Sequence, residues 1–319
     1  MITVYTEGIP LLWGHPLMYI FLFFTFSFGA CLGSFTNVLI YRIPQDMSVV
    51  YPPSSCMKCG HLITWYENIP ILSYLLLQGK CRECKTPLSS QYPTIELIAG
   101  IWSVALAQQF LWPTFSQPDL WTNQISLLLF AAFHWFWLCS FSCALLAITL
   151  IDLRYTFVPD EISLTMMWVS LGAFFLPQLD PLEYFWGLVA GYSFILSIRW
   201  LGYLIYKREA MGLGDAKLLA IIGGFLGWRI LPWILFAAAI QGLVAAALAL
   251  SYTKITGKSN ILTLTSKELD LRFGEEELYE QNRVMLVMPF GPFLCLAAFE
   301  ALMLSPDYIL NFLSTLQTL

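Results

Sequence analysis

The feature that most constrains this chain is its succession of long apolar segments. Eight can be read, at about 17–41, 94–112, 125–151, 162–177, 184–206, 216–228, 231–252 and 284–305. One helix needs roughly 20 apolar residues to cross a bilayer core, within a range of about 17–25. In lipid every backbone polar group must be satisfied internally, so runs this long and continuous fold as helices. The fourth and sixth runs are shorter. They are expected to extend into flanking residues, to tilt, or to be shielded by neighbours. Composition agrees, with 58% hydrophobic residues and 12% charged, against roughly 25% charged in an average soluble domain. The expected fold is an all-α polytopic membrane protein of about eight transmembrane helices.

Basic residues set the orientation. Arg42, Lys58, Lys80, Arg82 and Lys85 follow the first segment, and Arg154 follows the third. Lys207, Arg208 and Lys217 surround the fifth–sixth junction, and Lys254, Lys258, Lys267, Arg272 and Arg283 follow the seventh. The alternate loops near 113–124 and 178–183, and the tail after 305, carry no Lys or Arg, and Arg229 is the exception. Eight spans then place both termini outside the cytoplasm and the polar loops inside. The opening "MITVYTEGIP" lacks the basic start of a cleavable signal peptide, so the first segment is expected to be retained. The net charge of −5 does not suggest a nucleic-acid partner.

The first cytoplasmic loop holds Cys56-x2-Cys59 and, after 21 residues, Cys81-x2-Cys84. Two such knuckles are a common way to build a tetrahedral thiolate site for zinc. Two disulfides or a redox pair are the other readings, and a cytoplasmic loop disfavours stable disulfides. Four thiolates close the coordination sphere, so the metal is expected to be structural rather than catalytic. A small cytoplasmic zinc-binding loop domain is therefore added to the fold. Knuckle turns favour a residue tolerant of positive φ, which suits Gly60 and leaves Lys85 neutral. His61 reads as a surface or packing residue. Cys31, Cys139, Cys143 and Cys295 sit in apolar runs, where cysteine behaves as a small hydrophobe.

Few acidic residues lie near the spans. Asp152 ends the third segment, Asp160 follows eight residues later, and Asp215 opens the sixth in "AMGLGDAK". Asp152 and Asp215 are 63 residues apart, with one span out and one back between them, so both return to one membrane face. Two carboxylates held close cannot both ionise readily and share a proton, which suits water activation and leaving-group protonation. The structural alternatives are plain. Asp215 opens a helix and Asp160 follows Pro159, so either reads as an N-cap. Asp152 is harder to explain that way, because a helix C-terminus disfavours negative charge. No GxSxG or HExxH motif is present, and His134 reads as a helix-interface residue.

Four stretches together resemble the bacterial type IV prepilin leader peptidases/N-methyltransferases, a GxGD-type family of membrane aspartyl proteases. They are "GSFTNVLIYRIP", the loop "CGHLITWYENIPILSYLLLQGKCRECKTPLSSQYPTIELIAG", "IDLRYTFVPD" and "GLGDAK". The resemblance covers about residues 28–230. It implies that Asp152 and Asp215 are the catalytic pair and that Cys56, Cys59, Cys81 and Cys84 hold the metal. Gly212, Gly214, Asp160 and Lys217 stand as supporting residues. It implies cleavage of the short basic leader of a type IV prepilin or type II secretion pseudopilin after a glycine, at the cytoplasmic face of a bacterial inner membrane. Methylation of the new α-amino group with S-adenosylmethionine would follow.

The methyl-transfer site has no GxGxxG to mark it. It is expected in the cysteine loop and adjoining helix ends, with Glu67, Asn68 and Glu96 as polar candidates for the new ammonium or the cofactor ribose. Loop hydrogen bonding for Glu67 and Asn68, and helix N-terminal charge for Glu96, are the alternatives. The expected division is a first transmembrane segment at 1–41, the four-cysteine loop at 42–92, and a peptidase core at 93–319 with a cytoplasmic loop at about 253–283. Arg154 stands where many relatives are acidic, and that late loop is a long polar insertion. A GxGD peptidase without methyltransferase activity, or a non-enzymatic zinc-loop scaffold of a secretion machine, are the competing classes.

Overall fold

The computed structural model describes residues 16–112, 125–177, 179–207, 212–256, 263–264, 285–286 and 289–304. Most of the predicted 253–283 loop lies outside these residues, as do the 113–124 connection, Arg208 and the tail beyond 304. The chain divides into two compact units, Met1–Cys143 and Ala144–Leu319.

In the first unit, α1 spans Pro16–Arg42, a short α2 spans Leu72–Leu76, and α3 spans Gln91–Leu106 and continues as a π-turn over Ala107–Leu111. Helix α4, Ile125–Tyr155, begins here and runs on into the second unit. α1 and α3 pack along small residues four apart. A Cβ at Gly29 would lie 2.3 Å from Ser103 Cβ, and one at Gly33 would lie 2.8 Å from Glu96 Cα. Apolar chains gain little from burial between helices in lipid, so this close backbone approach and polar contacts carry the association. Ser103 Oγ donates to Thr25 O at 2.8 Å, and Trp135 Nε1 to Ser103 O at 3.0 Å. His134 packs its ring against Phe110 and Trp137, the interface role expected of it.

In the second unit, α5 (Asp160–Ser170) is lengthened by a 3-10 turn over Leu171–Phe175. Then come α6 (Pro181–Tyr206), α7 (Leu213–Leu226), α8 (Leu231–Thr256) and α9 (Gly291–Met303). Among the described residues the only strands are β1 (Thr263–Leu264) and β2 (Met285–Leu286), paired antiparallel. Asp180 caps α6 by accepting from Leu182 N at 3.1 Å.

The first seven apolar segments are therefore helical among the described residues, while the eighth, read as 284–305, opens with strand β2 and is helical over Gly291–Met303. Five are long and apolar enough to cross a membrane, while α5, α7 and α9 have 11, 14 and 13 residues. The sixth segment can be short because it is shielded. Ala216 and every residue from Leu218 to Phe225 are buried, with α5, α6, α8 and α9 all packing on α7. A helix apolar on all sides belongs inside protein.

α6 meets α7 where a Cβ at Gly187 would lie 2.1 Å from Gly223 O, and one at Gly191 would lie 2.5 Å from Leu219 O. Gly187→Leu is expected to lower thermal stability in detergent by the several degrees that an overpacking cost of about 1–3 kcal/mol implies. An unchanged melting temperature would show that this contact is not tight.

Candidate functional site

Asp152 sits in the last turn of α4, which runs three residues past it to Tyr155. It is 5% exposed. Asp215 is the third residue of α7, partly buried, and within electrostatic reach of Asp152. Cys295 on α9 feels both carboxylates. Three helices far apart in sequence thus bring two acidic groups together. Asp215 does not serve as the N-cap, because that position is Gly212 and no side chain caps the helix.

A third group at this pair was not anticipated. The Gly291 backbone N–H, at the start of α9, hydrogen-bonds Asp152. A Cβ at Gly291 would lie 2.4 Å from Asp152 Oδ2. The donor is a main-chain group, so only "FGPF" in the sequence hinted at a helix start there. Gly291→Ala is expected to push Asp152 aside and to lower any activity of the pair by about 10^2-fold, the cost of a misplacement near 1 Å. Undiminished activity in that variant would remove Gly291 from the site.

The supporting residues divide. Asp160 is not the N-cap of α5. Pro159 holds that position without a side-chain cap, and Asp160 is the first helical residue. Its carboxylate instead pairs with Lys217, tying α5 to α7 two residues from Asp215. Gly214 faces Val158, whose Cβ would stand 3.0 Å from an added Cβ. It permits close packing with the loop before α5 rather than open access. Gly212 is exposed, with Asp215 Oδ2 the nearest group at 3.9 Å from an added Cβ.

The cysteine loop of the first unit builds a second site. Each knuckle closes on itself: Cys56 N donates to His61 O and Gly60 N to Cys56 O, both at 2.9 Å, while Cys81 N donates to Thr86 O at 2.9 Å and Lys85 N to Cys81 O at 3.1 Å. Gly60 has φ +73°, and Lys85 takes the same left-handed conformation at +54°, so Lys85 accepts some strain where glycine would not. The four Sγ atoms lie within 4.8 Å of one another. Cys56–Cys84 and Cys59–Cys81 are separated by 3.8 and 3.9 Å. Zinc–sulfur bonds of about 2.3 Å in a tetrahedron require edges of about 3.8 Å, so this donor set fits a four-thiolate metal ion. Hydrogen bonds from Thr86 lower Cys84 to about 6, favouring its thiolate.

Glu67 clamps the two knuckles together. Its Oε2 accepts from Thr64 N at 3.0 Å and lies 3.1 Å from His61 Nε2, while Oε1 accepts from Arg82 Nη1 at 3.2 Å. The Thr64 backbone bond first, with His61 and Arg82 adding to it, holds this carboxyl at about 2. His61 is thus a partner of Glu67 and lies outside the four-thiol set.

Beside the knuckles lies a cavity of about 400 Å³ lined by Asn37, Glu67, Asn68, Ile71 and Glu96 among others, a volume typical of small-molecule sites. All three residues singled out for methyl transfer border it. Glu67 is committed to the knuckles, whereas Glu96 is 7% exposed and accepts from Ile71 N at 2.7 Å and from the Ser34 side chain, both neutral donors.

The sequence profile of the Bacterial Peptidase A24 N-terminal domain matches residues 27–110, and that of the Type IV leader peptidase family matches residues 139–247. The chain is 32% identical over 327 residues to a "Prepilin leader peptidase/N-methyltransferase" of Myxococcus xanthus, covering 90% of this chain and 91% of that one. Proteins of the same name from Aeromonas hydrophila (32% identical, 94% and 97% covered) and Pseudomonas aeruginosa (29% identical, 91% of each covered) are similar. No solved structure matches the chain significantly.

Proposed function

The chain belongs to the type IV leader peptidase family, and on that premise we propose that it cleaves the short basic leader of a type IV prepilin or type II secretion pseudopilin and then N-methylates the new terminus. The observation that carries the peptidase half is the convergence of Asp152, Asp215 and the Gly291 N–H in one unit. One ionised carboxylate takes a proton from water as the water attacks the glycyl carbonyl. The other, protonated, polarises that carbonyl and then delivers its proton to the departing amine. The two roles belong to the pair, because closely coupled groups titrate together. Gly291 N–H holds one Asp152 oxygen in place, and the Asp160–Lys217 pair steadies the start of α7.

The methyl-transfer half we assign to the cavity beside the knuckles, with residues 42–92 as its domain and the peptidase in the remaining core. Zinc on Cys56, Cys59, Cys81 and Cys84 plays a structural part, joining the two knuckles that wall the cavity. S-adenosylmethionine supplies an electrophilic methyl group when bound. The basic residues of the loops orient both activities towards the cytoplasm of a bacterial inner membrane. Purified protein given a synthetic prepilin should release the leader without S-adenosylmethionine, and should add one methyl group to the mature product only with it, both read by mass spectrometry. Cleavage with no methyl gain would support a peptidase alone, and no reaction would support a scaffold.

A further inference from the structure

The cavity of the first unit is lined by two buried acceptors that the fold leaves short of partners, Asn37 Oδ1 and the Glu96 carboxyl. Asn37 on α1 is 4% exposed. Its Nδ2 donates to Gly33 O at 3.3 Å and to Tyr92 O at 3.2 Å. Two carbonyls on the same amide atom require it to be nitrogen, so the orientation of the side chain is settled by its partners. Oδ1 is left buried with no hydrogen-bond partner, a costly state for an acceptor. Asn37 and Glu96 both line the cavity, and the close approach at Gly33 sets α1 directly on Glu96 Cα.

Glu96 also carries a need that the fold leaves unmet. It is 7% exposed, and no ion pair reaches it among the described residues. Its donors, Ile71 N and the Ser34 hydroxyl, are both neutral, and Ile71 is a β-branched residue held at φ +62°. Such strain persists only where the surroundings impose it, and it gathers at ligand sites. The buried cation on the cavity wall, Arg42, does not answer this charge. Its guanidinium donates to the carbonyls of Ser48, Val49 and Pro52. It stands nine residues along α1 from Gly33, about 13 Å at 1.5 Å per residue.

We propose that Glu96 and Asn37 Oδ1 form a subsite for a primary ammonium group. The proposal rests on the reading of this cavity as the methyl-transfer site. A buried carboxylate and an unpaired amide oxygen are both acceptors, and an ammonium offers three donors with the charge Glu96 lacks. Two reactants of N-methylation carry that group: the freshly cut chain at its N-terminus, and S-adenosylmethionine on its methionyl arm.

The test uses the full-length protein in nanodiscs with zinc bound, and reads direct binding by calorimetry. Two probe pairs are compared: S-adenosylhomocysteine with its deaminated counterpart, and a mature pilin N-terminal peptide with its N-acetylated form. Wild type is expected to bind at least one amine-bearing probe about tenfold or more tightly than its amine-free partner. Glu96→Gln should erase that advantage and Asn37→Leu should reduce it, while the amine-free probe keeps its affinity. The pair that loses its advantage identifies which reactant occupies the subsite. An advantage that survives in both variants overturns the proposal. Wild type binding none of the four probes would instead overturn the assignment of the cavity to methyl transfer. Should Glu96→Gln lose its metal and fail to fold, Asn37→Leu decides alone, and an undiminished advantage there counts against the subsite.

Discussion

Asp152→Asn and Asp215→Asn are each expected to lower prepilin cleavage by at least about 10^4-fold, because in the proposed mechanism the two carboxylates act as one acid–base unit. Asparagine keeps the shape and removes the exchangeable proton, so the loss should come without a loss of folded protein. Asp152 is 5% exposed and touches the Gly291 N–H, and an amide nitrogen turned towards that donor would also break the contact. The double variant should be scarcely worse than either single one. Near-normal cleavage in either single variant, measured by release of leader from a synthetic prepilin, would remove the dyad. Substantial additivity in the double variant would mean that the two residues do separate jobs.

Removing the metal is expected to have the second largest effect, on the other activity. A structural zinc supplies on the order of 10 kcal/mol of folding free energy to a small domain. On the proposed reading it would stand in for a hydrophobic core in this loop. Trp65 and Val50 are 81% and 91% exposed, and no long helix spans the knuckles. Cys56 and Cys81 themselves border the cavity, so losing the cross-link should open its wall. Cys56→Ser with Cys81→Ser, or strong chelation, should reduce methyl incorporation to background. Cleavage should change little, because the residues proposed for it all lie between 144 and 319. Labelled methyl transfer and leader release from the same sample would separate the two. Full methylation by metal-free protein would show that the loop does not depend on the ion.

How much of this was legible beforehand depended on whether a signal was local. Helices in the eight apolar runs follow from hydrophobicity alone, and α1 begins and ends within one residue of the 17–41 run, whereas the strand at Met285–Leu286 inside the last run was not legible. The cysteine set was legible because CxxC spacing is a short-range geometry. The shortness of α7 was visible, yet its cause was not, since shielding by four other helices is a property of the packed unit. Asp160 reads in the sequence either as a cap or as a supporting residue, and the structure rejects the cap and pairs it with Lys217. A capping residue and a salt-bridge partner look alike after proline, and Lys217 lies 57 residues away.

The sequence by itself determined the class of the molecule, the two aspartates and the four thiols, because chemistry-bearing residues in an apolar chain are few and each is conspicuous. Only the tertiary structure decided which groups complete them. Gly291 meets Asp152 through a main-chain N–H, and every residue but proline carries one. Glu67 and Glu96 are both acidic residues near one loop, yet three hydrogen bonds commit the first to the knuckles, and the second is left facing a cavity with Asn37. The sequence carries no record of such differences, because they arise from which backbone carbonyls and donors the folded chain has already used.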